Sequence, residues 1–275
     1  MSPTRVSADF PADVPLDPAL VTCRREGELA WLTLQRPEVM NCLSFPTLKR
    51  FRALLEELRA DLSLRCILIT GAGEKAFCAG ADLKERKTMP LERVPLFVKN
   101  IRALMDDVAG MPQPTLAVIN GFCLGGGTEL ALACDLRVAA AHAELGLTET
   151  SLAILPGAGG TQRLPRLIGK SRAKDLILTG RKLGASEAER IGLVNRVAEP
   201  GKLHECALAL AEAIASNGPV AVRAAKDAID GGVELPLAQG LEHEARCYER
   251  VLGTQDRLEA LAAFAEKRKP RYAGR

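Results

Sequence analysis

Two glutamates and two glycine-rich turns are the features of this sequence whose residue types could do chemistry together. Glu129 and Glu149 lie on different predicted elements, so their carboxylates could converge in space. The turns near Ala81 and Gly126 each offer a backbone N–H donor. Two such donors can stabilise an enolate oxygen while two carboxylates move protons around it. The set therefore indicates acid–base chemistry at an enolate, although spacing alone leaves the convergence a hypothesis.

One of these turns, within residues 121–135, is expected to place its donor at the start of a helix. It follows an apolar run at 116–120 that favours a short buried strand, and it continues into good helix formers. Glycines 125–127 let the backbone approach a ligand closely, and a helix N-terminus presents unpaired N–H groups with partial positive charge. The stretch can therefore hold an oxyanion, but a tight turn before an ordinary helix would have the same pattern.

The other turn begins with Gly71-Ala-Gly73, which superficially resembles a dinucleotide-binding fingerprint. Position 76 is alanine and no helix pattern opens there, which disfavours that interpretation. A phosphate-binding P-loop is disfavoured as well, because no Gly-Lys-Ser or Gly-Lys-Thr follows this turn. The turn is therefore more typical of a loop that supplies a backbone donor.

The elements that must position these groups alternate between strands and helices along the first two hundred residues. A hairpin is predicted around Gly27, and Ser44 fits the N-cap of an amphipathic helix. From Ser171 onward the pattern is helical apart from one strand, so we expect an α/β fold with three parts: an N-terminal arm at 1–18, a core at 19–200 and a helical region at 201–275. The predicted strands span residues 20–25, 29–35, 66–70, 116–120, 135–139, 143–147 and 193–198.

Composition places the chain among ordinary globular proteins, with 47% apolar and 26% charged residues. The net charge of +3 arises from interspersed acids and bases, so charge favours neither a nucleic-acid nor a membrane partner. No apolar run reaches the length of a membrane span, and the N-terminus has no apolar targeting segment. We therefore expect a cytoplasmic location.

Cysteine and histidine spacing argues against a metal site. None of the eight cysteines forms a Cys-x-x-Cys pair, and most lie in apolar runs that suit reduced, buried thiols. The three histidines, His142, His204 and His243, are predicted to be structural, which disfavours a Ser-His-Asp enzyme. The sequence thus predicts chemistry without a metal.

Four longer motifs occur in a fixed order along the chain: FCAGADLK at 77–84, NGFCLGGGTELA at 120–131, CDLRVA at 134–139 and PGAGGTQRL at 156–164. Together they resemble the enoyl-CoA hydratase/isomerase (crotonase) superfamily, and the similarity runs from residue 20 to the C-terminus. Within it, the segments 78–86, 130–139 and 256–259 are most similar to the branch that contains 3-methylglutaconyl-CoA hydratase. The implied fold is a spiral of ββα turns with a C-terminal helical trimerisation region, assembled as a trimer or a dimer of trimers.

The resemblance also implies roles for individual residues. Ala81 and Gly126 match the two oxyanion-hole positions, and Glu129 and Glu149 match the two catalytic glutamates of the hydratases. No metal or redox cofactor is implied, because coenzyme A enters as part of the substrate. Lys84 could equally be a solvated lysine, and Phe264 could be an ordinary core residue. The positions that match CoA-thioester contacts are Ala79, Ala81, Asp82, Leu83, Lys84, Gly126, Phe264 and Lys267.

The presence of both glutamates favours hydration of an enoyl-CoA thioester, with 3-methylglutaconyl-CoA of leucine breakdown as the expected substrate. A broad short-chain 2-enoyl-CoA hydratase of fatty-acid β-oxidation is the first alternative. An RNA-binding homologue is the second, since one relative in this branch binds RNA. Residues 56–65, which correspond to the lysine-rich helix of that relative, contain no lysine, and acidic residues balance their arginines.

Overall fold

The computed structural model describes residues 10–275. Residues 1–9 of the predicted N-terminal arm lie outside the described residues. The described part of the arm packs on the body of the protein, because Phe10 and Val14 are buried in the main core. The Phe10 ring lies edge-on to Phe45, and the carbonyl oxygen of Val14 accepts a hydrogen bond from Lys49 Nζ at 2.6 Å. The predicted arm is therefore anchored to the core through Phe10 and Val14.

The strands and helices are numbered here along the described residues. The strands are β1 (Val21–Glu26), β2 (Leu29–Leu34), β3 (Cys66–Gly71), β4 (Ala76–Cys78), β5 (Thr115–Ile119), β6 (Phe122–Leu124), β7 (Leu136–Ala140), β8 (Glu144–Gly146), β9 (Leu183–Gly184) and β10 (Arg196–Ala198). The helices are α1 (Phe45–Arg59), α2 (Leu83–Thr88), α3 (Val94–Ala109), α4 (Gly126–Ala133), α5 (Gly160–Ile168), α6 (Lys170–Thr179), α7 (Ala185–Arg190), α8 (Leu203–Ala215), α9 (Pro219–Gly232), α10 (Leu237–Leu252) and α11 (Gln255–Ala265).

Two sheets share the strands. The large sheet has the order β1-β2-β3-β5-β7-β10, and the small sheet has the order β4-β6-β8-β9. Each of the successive pairs β3–β4, β5–β6 and β7–β8 places its first strand in the large sheet and its second in the small one. Pairing is parallel throughout, except for β1 with β2 and β8 with β9. The predicted α/β spiral of ββα turns is confirmed.

The large sheet has a hydrophobic core on each of its two faces, because successive side chains along a strand point to opposite faces. One face packs against α1, α3 and the small sheet, with Leu32, Ile67 and Ile69 among its buried residues. The other face, which includes Trp31 and Leu68, packs against α8. Helix α8 therefore belongs to the sheet packing although it follows residue 200, and the predicted domain boundaries stay predictions.

Local signals account for several elements. The Ser44 hydroxyl accepts a hydrogen bond from the Thr47 amide and caps α1, as predicted. Gly27 has φ +58°, which suits the tight turn between β1 and β2. The short strands β4 and β6 were not predicted, because three residues are too few to show a period of two. None of the helices in residues 10–275 is long and apolar enough to cross a membrane.

Candidate active site

Three parallel strands of the small sheet end at the same edge, and each leads directly into a predicted site residue. Strand β4 runs into the loop of Ala81, β6 runs into Gly125 and α4, and β8 leads to Glu149. Strand β6 lies between the other two and pairs with both in parallel. The carboxyl ends of parallel strands meet at one edge, so segments that are far apart in sequence become neighbours.

Glycines allow the first two of these segments to touch. Gly80 has φ +96°, and a Cβ there would lie only 3.0 Å from the carbonyl oxygen of Leu124 and 3.2 Å from the nitrogen of Gly126. A Cβ on Gly127 would overlap the carbonyl oxygen of Cys78. Side chains at these positions would push the loops apart, since backbone cannot yield as a flexible side chain can. The glycines are therefore required for close approach of the two turns.

The amides of Ala81 and Gly126 are brought side by side. A Cβ built on Gly126 would lie 3.7 Å from the nitrogen of Ala81. The Leu43 amide donates to the Gly80 carbonyl, and the Asp82 amide donates to the Leu43 carbonyl, which fixes the loop on both sides. Neither the Ala81 nor the Gly126 amide donates a hydrogen bond to another residue within 10–275. Both N–H groups are thus available to an external oxygen atom.

Glu129 lies in the first turn of α4 and is only 3% exposed. Its Oε1 atom accepts hydrogen bonds from the amides of Ala158 and Gly160, both at 2.8 Å. Burial raises the pKa of Glu129, while the two amides and the charges of Arg163 and Arg102 oppose that rise. These amide donors stabilise a carboxylate and fix its orientation.

Glu149 begins a short 3₁₀ helix after β8 and is 9% exposed. Its Oε1 atom lies beside Gly125, 3.2 Å from where a Cβ on that glycine would be. Its Oε2 atom is buried and has no hydrogen-bond partner among the described residues. Burial, and then the negative charge of Glu129, raises the pKa of Glu149 to about 7. The two carboxyl groups are therefore close enough to interact, and only Glu129 receives backbone amide hydrogen bonds from the 156–160 loop.

The arrangement can perform acid–base chemistry on a polarised carbonyl compound. Two free amides can hold a carbonyl oxygen and stabilise the negative charge that develops on it. Glu129 is supported as a carboxylate and can accept a proton, whereas Glu149 holds a proton near pH 7 and can donate it.

Of the residues around the Ala81 loop that are predicted to contact CoA, some already bond within the chain and others are exposed. The Ala79 amide donates to the Met40 carbonyl at 3.0 Å, so it is already used within the chain. The Asp82 carboxylate caps α2 and forms an ion pair with Arg36 at 2.8 Å. Leu83 and Lys84 follow on α2 with exposed side chains. Asp82 thus holds the loop in shape, and its two neighbours are free to meet a ligand.

Phe264 lies in the last turn of α11, and Lys267 lies just after the helix. Within the described part of one chain, neither residue forms a hydrogen bond or an ion pair with Glu129 or Glu149. Phe264 is 86% exposed, so the alternative of an ordinary core residue is wrong. Lys267 adopts φ +55°, a left-handed conformation just after the helix. In a single chain both residues face solvent.

Sequence reasoning missed the groups that support Glu129. Residues 156–164 were recognised only as one of the four family motifs, yet the amides of Ala158 and Gly160 within this stretch bind the carboxylate. A Cβ on Gly160 would lie 3.0 Å from Glu129 Oε1, which explains the glycine. Arg102 and Arg163 in turn donate to the carbonyls of Gly157 and Ala158. The PGAGG motif was the signal that could have indicated this role.

Known proteins similar to this chain identify its family. A family model described as enoyl-CoA hydratase/isomerase matches residues 24–275. This chain belongs to that family. It is an enzyme of the enoyl-CoA hydratase type, a hydro-lyase, as the sequence predicts.

Individual relatives cover most of the chain. YngF of Bacillus subtilis is 52% identical over 262 residues, which span 94% of this chain and 99% of that protein. The human protein named methylglutaconyl-CoA hydratase, mitochondrial, is 49% identical over 247 residues, or 88% of this chain and 73% of the relative. A crystal structure of enoyl-CoA hydratase from Bacillus anthracis superimposes with a TM-score of 0.92 at 52% identity, covering 93% of this chain and all of the other.

Proposed function

We propose that this protein adds water across the 2,3 double bond of an enoyl-CoA thioester, or catalyses the reverse dehydration. The observation that carries the proposal is the Glu149 carboxyl group, which is buried, has no partner on Oε2 within residues 10–275 and has its pKa raised to about 7 beside Glu129. A group in this state can deliver a proton at neutral pH. Its position beside Gly125 places it next to the free amides of the two turns.

The amides of Ala81 and Gly126 would bind the thioester oxygen. Water adds at Cβ only if negative charge moves onto that oxygen, and two hydrogen bonds stabilise the enolate that results. Loss of one such donor typically costs about 3 kcal/mol, or roughly a hundred- to thousandfold in rate. The close contact of the two loops, made possible by Gly80, supports this assignment.

Each glutamate would move one proton. Glu129 accepts a proton from water as the water oxygen bonds to Cβ, and Glu149 donates its proton to Cα. The two hydrogen bonds from Ala158 and Gly160 support Glu129 as the carboxylate that orients water. Transfer of a proton from Glu129 back to Glu149 completes the cycle, and the roles reverse in dehydration.

The remaining predicted contacts would hold the CoA portion. Ala79 precedes the Ala81 loop, Leu83 and Lys84 follow it with exposed side chains, and Asp82 supports the loop through Arg36. We propose that Phe264 and Lys267 reach the CoA of a neighbouring subunit, which would account for the exposure of the phenylalanine in a single chain. Coenzyme A would be part of the substrate, and no separate cofactor or nucleic-acid partner is proposed.

The acyl group we propose is 3-methylglutaconyl, in the breakdown of leucine. Support comes from the name of the human relative and from a cation near Glu129. That cation is Arg102, which has no carboxylate partner within residues 10–275 and could bind the free carboxylate of this substrate. A cytoplasmic location also stays a proposal, and the eight unbridged cysteines suit a reducing compartment.

A panel of enoyl-CoA thioesters tests the function, with hydration followed as loss of the absorbance of the conjugated double bond. We expect turnover of crotonyl-CoA and higher kcat/KM for 3-methylglutaconyl-CoA. Glu129→Gln and Glu149→Gln should each lower hydration by orders of magnitude, because one proton transfer is lost. Binding of the CoA ester, measured by calorimetry, should survive in both variants. Near-normal turnover in either variant would refute the assignment.

A further inference from the structure

A second cluster of chemically active side chains lies in the helical region, away from the glutamate pair. His243 and Cys247 are four residues apart on α10 and therefore share one face of that helix. Asp227 on α9 faces them. The Nε2 atom of His243 lies 3.6 Å from Cys247 Sγ and 3.4 Å from Asp227 Oδ1. All three candidate ligand atoms lie within 4.8 Å of one another.

We infer that Asp227, His243 and Cys247 form a binding site for a tetrahedral divalent cation, of which Zn²⁺ is the best match. Zinc bonds to nitrogen and oxygen at about 2.0–2.1 Å and to sulfur at about 2.3 Å. At tetrahedral angles these lengths separate nitrogen from oxygen by about 3.4 Å and nitrogen from sulfur by about 3.6 Å. The nitrogen–oxygen and nitrogen–sulfur spacings in the structure match these values, and the third pair, the Cys247 sulfur and the Asp227 oxygen, lies within 4.8 Å.

Charge and exposure favour such an ion. A Cys247 thiolate and the Asp227 carboxylate would together balance a doubly charged cation. The side chains of His243 and Asp227 are 22% and 46% exposed, which leaves a path for entry from solvent. Arg250 pairs with the other carboxylate oxygen of Asp227 at 2.8 Å. That ion pair orients the carboxylate and leaves Oδ1 for the cation.

One histidine nitrogen faces more acceptors than it can satisfy. His243 Nε2 lies 3.0 Å from the backbone carbonyl of Asp227, in addition to the carboxylate and the sulfur. A single N–H can bond well to only one of them, whereas a metal at this point would satisfy the side chains together. The thiol of Cys247 is buried, and His243 is its one hydrogen-bond partner within the described chain.

Glycine at position 231 makes this arrangement possible. A Cβ there would overlap His243 Nε2, so the imidazole lies directly against the backbone of α9. The ring is therefore held in place before any ion binds. A bound cation would join α9 to α10 and stabilise the hairpin, because a ligand that binds only the folded state shifts the unfolding equilibrium. The site would be structural and would leave the hydration chemistry unchanged.

Cobalt(II) titration of the purified full-length protein tests the site. Tetrahedral cobalt bound by a thiolate gives visible ligand-field bands and a sulfur-to-metal charge-transfer band. We expect both to saturate at one equivalent and to disappear when Zn²⁺ displaces the cobalt. Zn²⁺ should also raise the melting temperature of the wild-type protein.

Variants assign the signal to these residues. Cys247→Ser should abolish the charge-transfer band, and Asp227→Asn should weaken cobalt affinity about tenfold or more while the thiol remains. Cys206→Ser is the matched control, since Cys206 is a partly buried cysteine of α8 outside the cluster, and it should bind like the wild type. Circular dichroism establishes that each variant is folded. The inference is overturned by absence of the charge-transfer band in the wild type, or by its persistence in folded Cys247→Ser.

Discussion

At the scale of single residues, two identical side chains acquire different chemistry from their surroundings. Glu129 and Glu149 are both buried carboxyl groups, and burial raises the pKa of each. Glu129 receives two amide hydrogen bonds that favour its charged form, whereas Glu149 receives none on its buried Oε2 atom. The charge of the first glutamate then raises the pKa of the second further. Two different roles therefore follow from local hydrogen bonding.

The raised pKa of Glu149 makes stability depend on pH. The carboxyl binds its proton more tightly in the folded protein, because its pKa is raised from the ordinary value of 4.5 to about 7. Its protonated form therefore stabilises the protein fully below about pH 4.5, and this contribution is lost as pH rises through 7. Charging the group costs up to about 3 kcal/mol at higher pH.

We predict that Glu149→Gln raises the free energy of unfolding at pH 8 and has a smaller effect at pH 5, because the amide carries no charge to bury. Thermal and urea denaturation at the two pH values measure this difference. Glu74→Gln, at an exposed loop position, serves as the control and should show little effect at either pH. An equal effect of Glu149→Gln at both values would contradict the prediction.

At the scale of elements, helices α3 and α5 hold the loop that binds Glu129. Arg102 of α3 donates to the Gly157 carbonyl at 3.1 and 3.3 Å, and Arg163 of α5 donates to the Ala158 carbonyl. Arg163 is also paired with Asp106 at 2.8 Å. Arg102 is thus the cation more available to a carboxylate on the substrate.

We predict that Arg102→Met raises KM for 3-methylglutaconyl-CoA about tenfold or more, because an ion pair to the substrate carboxylate is lost. KM for crotonyl-CoA, which has no free carboxylate, should change little. Arg102→Lys keeps the charge and should restore part of the affinity. Steady-state kinetics on both thioesters provide the measurement. An equal loss on the two substrates would show that Arg102 only supports the loop.

At the scale of the whole molecule, the C-terminal helices carry apolar residues that a single chain leaves in solvent. Exposed apolar surface of this extent is typical of an interface between chains. A trimer or a dimer of trimers, with this face at the contact, stays our proposal. The exposed residues on α9, α10 and α11 include Ile229, Leu237, Leu241, Tyr248, Leu258, Leu261 and Phe264.

We predict that Phe264→Ala raises KM for CoA thioesters severalfold with little change in kcat, since the ring would contact CoA across a subunit boundary and not the reacting atoms. Leu62→Ala, at another exposed apolar position, should leave both parameters unchanged. Light scattering should give three or six chain masses for the wild type. A monomer of full activity and unchanged KM in Phe264→Ala would contradict the shared site.

The sequence by itself determined several secondary-structure elements, the family and the candidate site residues. The turn at Gly27 between the first two strands, the Ser44 cap and the three glycines at the start of α4 act over a few residues, so a hairpin and two helix starts could be predicted from them. The four motifs also indicated the family and the candidate site residues. The short strands β4 and β6 escaped prediction because they have no periodic signal.

Only the tertiary structure decided how those pieces meet. Parallel pairing of β4, β6 and β8 brings Ala81, Gly126 and Glu149 to one edge, and no local pattern encodes which strands become neighbours. The pKa of Glu149 depends on burial and on a charge from another element, and the cluster of Asp227, His243 and Cys247 depends on how α9 and α10 face each other. The sequence gives the type of each side chain. The distances between site residues and the burial of their carboxyl groups depend on packing between elements that are far apart in sequence.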